Sequence, residues 1–353
     1  MKKTLLTASL FAAVAMLFLT MPAAADQLPD PDGKPADMSK PVQVFILMGQ
    51  SNMLGFGKIT GGDGSLTHAV KEKGLYPYLI DDAGSWTVRN DVRNVRVMNG
   101  RRGMQTHNNE WMTIGRSNIG PEIGIGHHLG QATDAPVLIL KSCIGNRCLG
   151  WDLLPRGSER YEHGGKIHAG YKDSYSIVKG PWEKGSEPAK PDGGQWYAGW
   201  QYDIDIKNAK QVLANLNKHY PGATEYEVAG FFWWQGDKDR GRGEWTSRYE
   251  TNLLQLIKAL RKDFDAPDAK FVCASLGQTN KDNASGGEKE ILDAMLAISD
   301  FDKHPQLKGQ TATVYAHPLS KGGASNSHYG GNAETYMNVG EAMGKAMVEL
   351  FRN

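Results

Sequence analysis

Short runs of apolar and β-branched residues recur along this chain and alternate with stretches of helical periodicity. Such runs are typical of strands buried on both faces of a sheet. They lie at residues 42–48, 95–98, 137–141, 228–234 and 271–274, with a shorter one at 313–315. Helical patterns lie at residues 122–131, 204–220, 246–264 and 333–351. This alternation predicts an α/β fold, a three-layer α/β/α sandwich around a mostly parallel sheet of about five strands.

The amino-terminal residues predict an export signal. Lys2 and Lys3 precede an almost unbroken apolar run at residues 5–19, and three alanines at 23–25 supply the small residues that signal peptidase requires. A membrane anchor is the rival interpretation, because the run is near the lower length of a membrane span. The polar residues after the alanines favour cleavage. We therefore expect residues 1–25 to be a signal peptide, and the mature protein to be periplasmic or extracellular and free of the membrane.

The rest of the chain has no internal repeat and no evident linker. Residues 26–40 are polar and rich in proline, which predicts an irregular arm, and residues 41–353 are expected to form a single domain. Residues 150–201 interrupt the alternation, since they carry much glycine, charge and aromatic character but little periodicity. Loops of this length are usually functional or disordered, and the aromatic residues favour order. We predict an ordered excursion near the functional face; a loop folded onto its own small cluster is the alternative.

Charge and cysteine content narrow the possible functions. A formal net charge of +1 gives no basic field for nucleic acid. The three cysteines, Cys143, Cys148 and Cys273, do not have the spacing of a zinc site. Exported proteins meet oxidising conditions, so Cys143 and Cys148 are candidates for a disulfide. Three buried thiols are the equal alternative.

Ser51 directly follows the first apolar run, in the segment Gly49-Gln50-Ser51-Asn52-Met53. Functional groups of parallel sheets gather at the carboxyl ends of strands, which is where this serine is predicted to lie. A serine hydroxyl needs a base to become a nucleophile at neutral pH. The candidate base is His328, in a glycine-flanked loop just before the last helical pattern. The Gly-x-Ser-x-Gly elbow of α/β-hydrolases is absent around Ser51.

The segment from Ile46 to Met53 resembles the first sequence block of the SGNH-hydrolase superfamily. Within it, the segment is most similar to the branch of sialate O-acetylesterases and acetylxylan esterases. Further blocks follow in the family's order, at residues 119–123, 141–147 and 233–239 and around His328. The resemblance implies a flavodoxin-like fold and a serine esterase that needs no metal and no organic cofactor.

The resemblance also implies a role for each matching residue. Ser51 is the expected nucleophile and His328 the expected base. Acyl transfer passes through a tetrahedral oxyanion, which needs preorganised donors. The matching donors are the backbone N–H groups of Ser51 and Gly145 and the side-chain amide of Gln235.

The chain departs from the family pattern at the acid of the triad. Many members carry an aspartate three residues before the histidine, and this chain has Ser325 there. Two accounts stay open. Asp237, which stands where the family has the glutamate of its Gln-Gly-Glu block, supplies the carboxylate. Alternatively, a dyad operates in which Asn326 or a backbone carbonyl orients His328. Asp239 and Glu122 are the fallback candidates for the acid, and structural roles are expected for both.

The expected substrate is an O-acetylated carbohydrate, either a polysaccharide or a sialic-acid-like sugar, deacetylated through an acyl-enzyme. Trp151 and Trp200 of the 150–201 excursion are the expected sugar-binding aromatics, together with Gln50 and Asn52 beside the nucleophile. Two alternatives remain. One is a carbohydrate-binding relative with impaired catalysis, motivated by the serine at position 325. The other is an SGNH esterase acting on a non-sugar ester such as a lipid or thioester, which the polar character of the excursion disfavours.

Overall fold

The computed structural model describes residues 33, 35–115, 117–174, 180–189 and 196–352. The expected signal peptide and most of the expected arm lie outside these residues. The strands are β1 (Val42–Gly49), β2 (Gly57–Lys58), β3 (Arg89–Gly100), β4 (Gly103–Met112), β5 (Asn118–Ile119), β6 (Val137–Ser142), β7 (Tyr161–His163), β8 (Lys166–His168), β9 (Trp182–Glu183), β10 (Tyr226–Trp234), β11 (Lys270–Ala274) and β12 (Thr311–Val314). The helices are α1 (Ser51–Leu54), α2 (Leu66–Lys71), α3 (Glu122–Ala132), α4 (Trp200–Leu213), α5 (Leu216–His219), α6 (Gly243–Thr246), α7 (Tyr249–Asp263), α8 (Gly286–Ala297) and α9 (Ala333–Arg352).

In the described part of the chain the main sheet has seven strands, in the order β12-β11-β10-β1-β6-β3-β4. Neighbouring strands pair in parallel, except that β3 and β4 form an antiparallel hairpin at one edge. The predicted α/β class and mostly parallel sheet are confirmed, but the sheet is larger than the five strands expected. Strand β4 was missed because it is a largely exposed edge strand of polar residues, without the apolar run that marks a buried strand.

Helices cover both faces of the sheet, as the side chains of β1 illustrate. Val44, Ile46 and Met48 point into a cluster that includes residues of α4, α7 and α8. Phe45 and Leu47 point to the opposite face, into a cluster that includes residues of α3 and α9. Because successive strand residues face opposite sides, a strand buried on both faces is apolar throughout. This is why the first run in the sequence is continuous rather than alternating.

The helical patterns correspond to helices with some differences at their ends. The patterns at 122–131 and 333–351 are α3 and α9, each within one residue of the expected bounds. The patterns at 204–220 and 246–264 are each interrupted, giving α4 with α5 and α6 with α7. Helices α2 and α8 were not predicted. Among the described helices, none has the length and apolar character needed to cross a membrane.

The described part of the 150–201 excursion has secondary structure of its own. Strands β7, β8 and β9 form a small antiparallel sheet. Leu154, Ala169, Trp182 and Ala198 form a separate apolar cluster, against which Trp151 packs. The excursion thus carries its own small core as well as ordered segments.

The cysteines are not bridged. Cys143, Cys148 and Cys273 are free and buried, so the disulfide considered for the first two is absent. Burial raises the pKa of both the Cys143 and Cys273 thiols to about 12. A fully buried thiol of this kind packs as a small apolar group.

Candidate active site

A glycine places Ser51 at the carboxyl edge of the sheet. Gly49, the last residue of β1, has φ +141°, and a Cβ there would lie only 2.4 Å from the Trp234 carbonyl oxygen. Only glycine fits such a contact and conformation. The chain then turns directly into α1, whose first residue is Ser51, with 9% of its surface exposed.

The far end of α1 is held by a buried ion pair. Lys141, the penultimate residue of β6, donates from Nζ to the Leu54 carbonyl (3.0 Å) and to Oε2 of Glu122 (2.5 Å). The other carboxylate oxygen of Glu122 accepts the Gly120 N–H at 3.1 Å. Breaking a buried pair leaves an uncompensated charge at a cost of about 3–5 kcal/mol. Two of the matching sequence blocks therefore support the nucleophile turn, and Glu122 is committed to that role.

The loop after β6 lies against Ser51. A Cβ built on Gly145 would be 3.6 Å from the Ser51 Cβ, an ordinary van der Waals distance. No acceptor for the Gly145 N–H is found among the described residues. Ser51, as the first residue of a helix, likewise has no intrahelical acceptor for its N–H. Two backbone donors thus lie next to the hydroxyl.

Gln235 follows β10 and is fully buried. Its Nε2 is within hydrogen-bonding distance of Gln50 Oε1 (3.1 Å), the Arg147 carbonyl (2.9 Å) and Asp239 Oδ2 (2.6 Å). An amide nitrogen carries only two protons, so protein acceptors use its full donor capacity. To donate to an oxyanion, Gln235 must release one of these partners.

Asp239 fastens the same loop to the end of β10. Its carboxylate accepts the N–H groups of Leu149 (3.0 Å) and Gly150 (2.8 Å) as well as the Gln235 amide. Burial raises the pKa of Asp239 to about 6 despite these hydrogen bonds. Asp239 therefore positions the loop, in agreement with the structural role expected for it.

His328 lies in a strained turn at residues 325–331. His328 and Tyr329 have φ values of 53° and 55°, in the left-handed region that bulky residues rarely adopt. The His328 ring stacks on Phe56 with a centroid distance of 4.0 Å and an interplanar angle of 11°. Among the described residues no hydrogen bond joins His328 to Ser51. Strain of this kind persists only where surrounding contacts enforce it, and it concentrates at functional sites.

Tyr329, the next residue, holds this turn against the neighbouring strand ends. Tyr329 is fully buried and stacks on Trp234 at 5.8 Å. Its hydroxyl oxygen accepts the Gly277 N–H (3.2 Å) and lies 3.5 Å from Nδ2 of Asn52. The ring contacts of Phe56 and Tyr329 were not expected from the sequence, because no local pattern predicts stacking between distant segments.

Asp237 is bonded to the position that lacks the usual aspartate. Its Oδ1 accepts the Ser325 hydroxyl at 2.7 Å and Nε of Arg240 at 3.0 Å. Arg240 in turn bonds Glu288 at 2.6 Å. The carboxylate thus reaches the turn three residues before His328, although no bond to the imidazole itself is present among the described residues.

The expected sugar-binding residues are in different environments. Gln50 and Asn52 are buried, at 2% and 0% exposure, so both belong to the framework beneath the nucleophile. Trp151 lines a cavity of about 190 Å³ together with Tyr161 and Trp245. Trp200 begins α4 and contacts a second indole, described below.

Part of the chain matches a known protein family. Residues 182–349 match the family described as carbohydrate esterase, sialic acid-specific acetylesterase. Over this segment, which is just under half of the chain, the sequence is similar to that family. The match includes Gln235, Asp237 and His328, while Ser51 and Gly145 precede it. It confirms the resemblance to the sialate O-acetylesterase branch and makes the protein a carboxylic ester hydrolase. None of the curated proteins matches the sequence.

Three solved structures match this chain over most of its length. A protein from Arabidopsis thaliana is 15% identical with a TM-score of 0.50, over 88% of this chain and 99% of that one. NanS is 13% identical with a TM-score of 0.47, over 90% of this chain and 99% of that one. A carbohydrate acetylesterase from Xanthomonas citri is 12% identical with a TM-score of 0.47, over 88% of this chain and 56% of that one. At such identities the likeness to the Arabidopsis thaliana protein concerns the fold alone.

Proposed function

We propose that this carbohydrate esterase removes O-acetyl groups from a sugar through an acyl-enzyme formed on Ser51. The observation that carries the proposal is the meeting of three distant segments at the carboxyl edge of the sheet. These are the turn after β1 with Ser51, the loop after β6 with Gly145, and the strained turn with His328. The similarity of residues 182–349 to the carbohydrate esterase family supports the substrate class, and the neighbouring backbone donors suit acyl transfer.

In the proposed mechanism, the Ser51 hydroxyl attacks the acetyl carbonyl while His328 takes its proton. The N–H groups of Ser51 and Gly145 stabilise the resulting oxyanion. As the intermediate collapses, the bond to the sugar oxygen breaks, His328 gives the proton to that oxygen, and the acetyl group stays on Ser51. Water then attacks this ester with His328 as base, which releases acetate and restores the serine.

Asp237 is the carboxylate we assign to the triad. The support is its bond to Ser325, at the place where relatives of this type carry an aspartate. In this position the negative charge of Asp237 stabilises the imidazolium of His328 that forms during attack. Gln235 is assigned to the oxyanion site as well, where it would exchange a protein acceptor for the developing charge.

The first test is acetate release by the Ser51→Ala variant. We expect wild-type protein to deacetylate an acetylated aryl ester and an acetylated polysaccharide, and the variant to lose both activities by at least about 10³-fold. Ser186→Ala is the matched control, because Ser186 is an exposed serine distant in sequence from Ser51. This variant should behave as wild type. Retained turnover in Ser51→Ala would refute the assignment of the nucleophile.

Sugar binding without turnover is the second candidate function. The absence of a Ser51–His328 hydrogen bond in the described residues favours it, as does the full engagement of the Gln235 amide. Catalytic hydrogen bonds are often long before substrate binds, which is why we prefer the esterase. Saturable binding of an acetylated glycan with no acetate release would support the second candidate.

We also propose that the protein is exported and loses residues 1–25. The support is the basic start, the apolar run and the alanine triplet of the sequence. Amino-terminal sequencing of protein recovered from the periplasm or medium should begin at Asp26; a retained Met1 would contradict this.

A further inference from the structure

Trp196 is the most exposed large apolar side chain in the described part of the chain. Its relative exposure is 55%, and its indole contacts that of Trp200 with a centroid distance of 4.6 Å and an angle of 37°. Its φ is 62°, a left-handed conformation that a bulky residue rarely adopts. Singly exposed apolar residues are common and need no explanation. An exposed indole held in a costly backbone conformation and backed by a second indole does need one.

The two residues that follow this indole are anchored by hydrogen bonds. Tyr197 forms an isolated antiparallel bridge with Ser174. The Ala198 N–H donates to the Asp173 carbonyl, and the Ala198 carbonyl accepts the Lys172 N–H, both at 2.8 Å. The fully buried Asp173 carboxylate is clamped by Arg160 at 2.7 and 2.8 Å. A ligand would therefore meet a preorganised surface and would not have to order it.

A short path connects the indole pair to the nucleophile. Trp200 is followed by Gln201, whose Oε1 accepts Nε of Arg147 at 3.2 Å. Arg147 lies two residues after Gly145, the glycine in contact with Ser51. The start of α4, which carries Trp200, is thus linked through Gln201 to the loop beside the nucleophile.

We propose that the Trp196–Trp200 pair is a stacking platform for a sugar unit of a glycan chain whose acetylated unit lies at Ser51. The proposal rests on the esterase function proposed for Ser51 and adds the polymeric nature of the substrate. A pyranose ring has a C–H face that packs on an aromatic ring and a polar rim that stays hydrated. Because the platform is separated from the hydroxyl by the intervening loop, it holds a different sugar unit from the one that carries the ester.

The test compares a polymeric and a small substrate in Trp196→Ala. The polymeric substrate is the one of acetylated xylan, mannan and pectin that the wild type deacetylates fastest. With this polymer, the KM of Trp196→Ala should be about tenfold higher than that of wild type, equivalent to about 1.4 kcal/mol. For an acetylated aryl ester, kcat/KM should stay within twofold of wild type. Trp196→Phe should recover most of the loss. Tyr226→Ala is the matched control, because Tyr226 is an aromatic with 44% exposure at the start of β10, the opposite edge of the sheet.

Three results would overturn the platform. They are an unchanged KM for the polymer, an equal loss on both substrates, and a wild type that cleaves the aryl ester but none of the polysaccharides. Titration of the polymer into Ser51→Ala, with and without Trp196→Ala, isolates binding from chemistry. If Ser51→Ala keeps full activity, the proposed nucleophile fails; a tenfold weaker binding in the double variant would still support the platform.

Discussion

The two sides of the candidate site are built differently. On the nucleophile side, Lys141 with Glu122 and Gln235 with Asp239 form buried networks in which nearly every polar group has a partner. On the base side, His328 stands in a strained turn, held by ring stacking and by side chains from other segments. A saturated buried network leaves a single arrangement, whereas a turn held by stacking can adjust. The nucleophile side is therefore held in one arrangement, whereas the base side, which carries Ser325 three residues before His328, can adjust.

The largest expected effect comes from the carboxylate on the base side. Asp237→Asn removes the negative charge but keeps the shape, and turnover of an acetylated aryl ester should fall about 10³-fold with the fold intact. Placing the carboxylate at the position used by relatives, in the double variant Asp237→Asn with Ser325→Asp, should restore much of it. Circular dichroism and the unfolding midpoint check that both variants fold.

Comparing Ser325→Ala with Asp237→Asn separates the effect of the Asp237 charge on catalysis from the effect of the hydrogen bond that holds it. Ser325→Ala alone removes the hydroxyl donor to Asp237 and should lower turnover by a smaller factor than Asp237→Asn. Near-normal turnover in Asp237→Asn would remove Asp237 from the triad and favour a dyad oriented by Asn326 or a backbone carbonyl.

The nucleophile side of the site was more predictable from the sequence than the base side, for physical reasons. Runs of β-branched residues report burial on both faces, so the sheet and the placement of Ser51 at a strand end were predictable. Asp237 is a candidate acid from its place in the family's sequence block, and that role stays a prediction. Its bond to Ser325 depends on two loops meeting in space, which no local pattern encodes. The same holds for the stacking of Phe56 on His328 and for the exposure of Trp196.

The next effect, on the nucleophile side, is a dependence of stability on pH. Asp239 has a pKa of about 6 in the fold, raised by burial from an ordinary value of 3.8. Between these values the folded protein keeps a proton that the unfolded chain releases, so stability falls as pH rises from about 4 to about 6. The loss from this residue is at most about 3 kcal/mol.

Urea unfolding of wild type and Asp239→Asn at pH 4.5 and pH 7 measures this dependence. The asparagine loses some hydrogen bonds at both pH values, but it has no proton to release. The wild type's advantage over the variant should therefore shrink between pH 4.5 and pH 7. An equal difference at both pH values would mean that Asp239 is already charged in the fold at pH 4.5, as ordinary carboxylates are.

The smallest effect concerns Phe56, the residue that links the two sides. Phe56 follows α1 and carries the stacked ring of His328, so Phe56→Leu keeps an apolar side chain but removes the stacking. An aromatic pair contributes about 0.5–1.5 kcal/mol beyond the area it buries. If that contribution orients His328, the turnover of Phe56→Leu should be roughly 2- to 10-fold lower than that of wild type. Binding should not change: the double variant Ser51→Ala with Phe56→Leu should bind the polymer as tightly as Ser51→Ala alone. An unchanged turnover would mean that the base side is oriented through Asp237 and Ser325 alone, and that stacking merely packs the turn. A loss as large as that of Asp237→Asn would instead mean that the position of His328 limits turnover as strongly as the charge of Asp237 does.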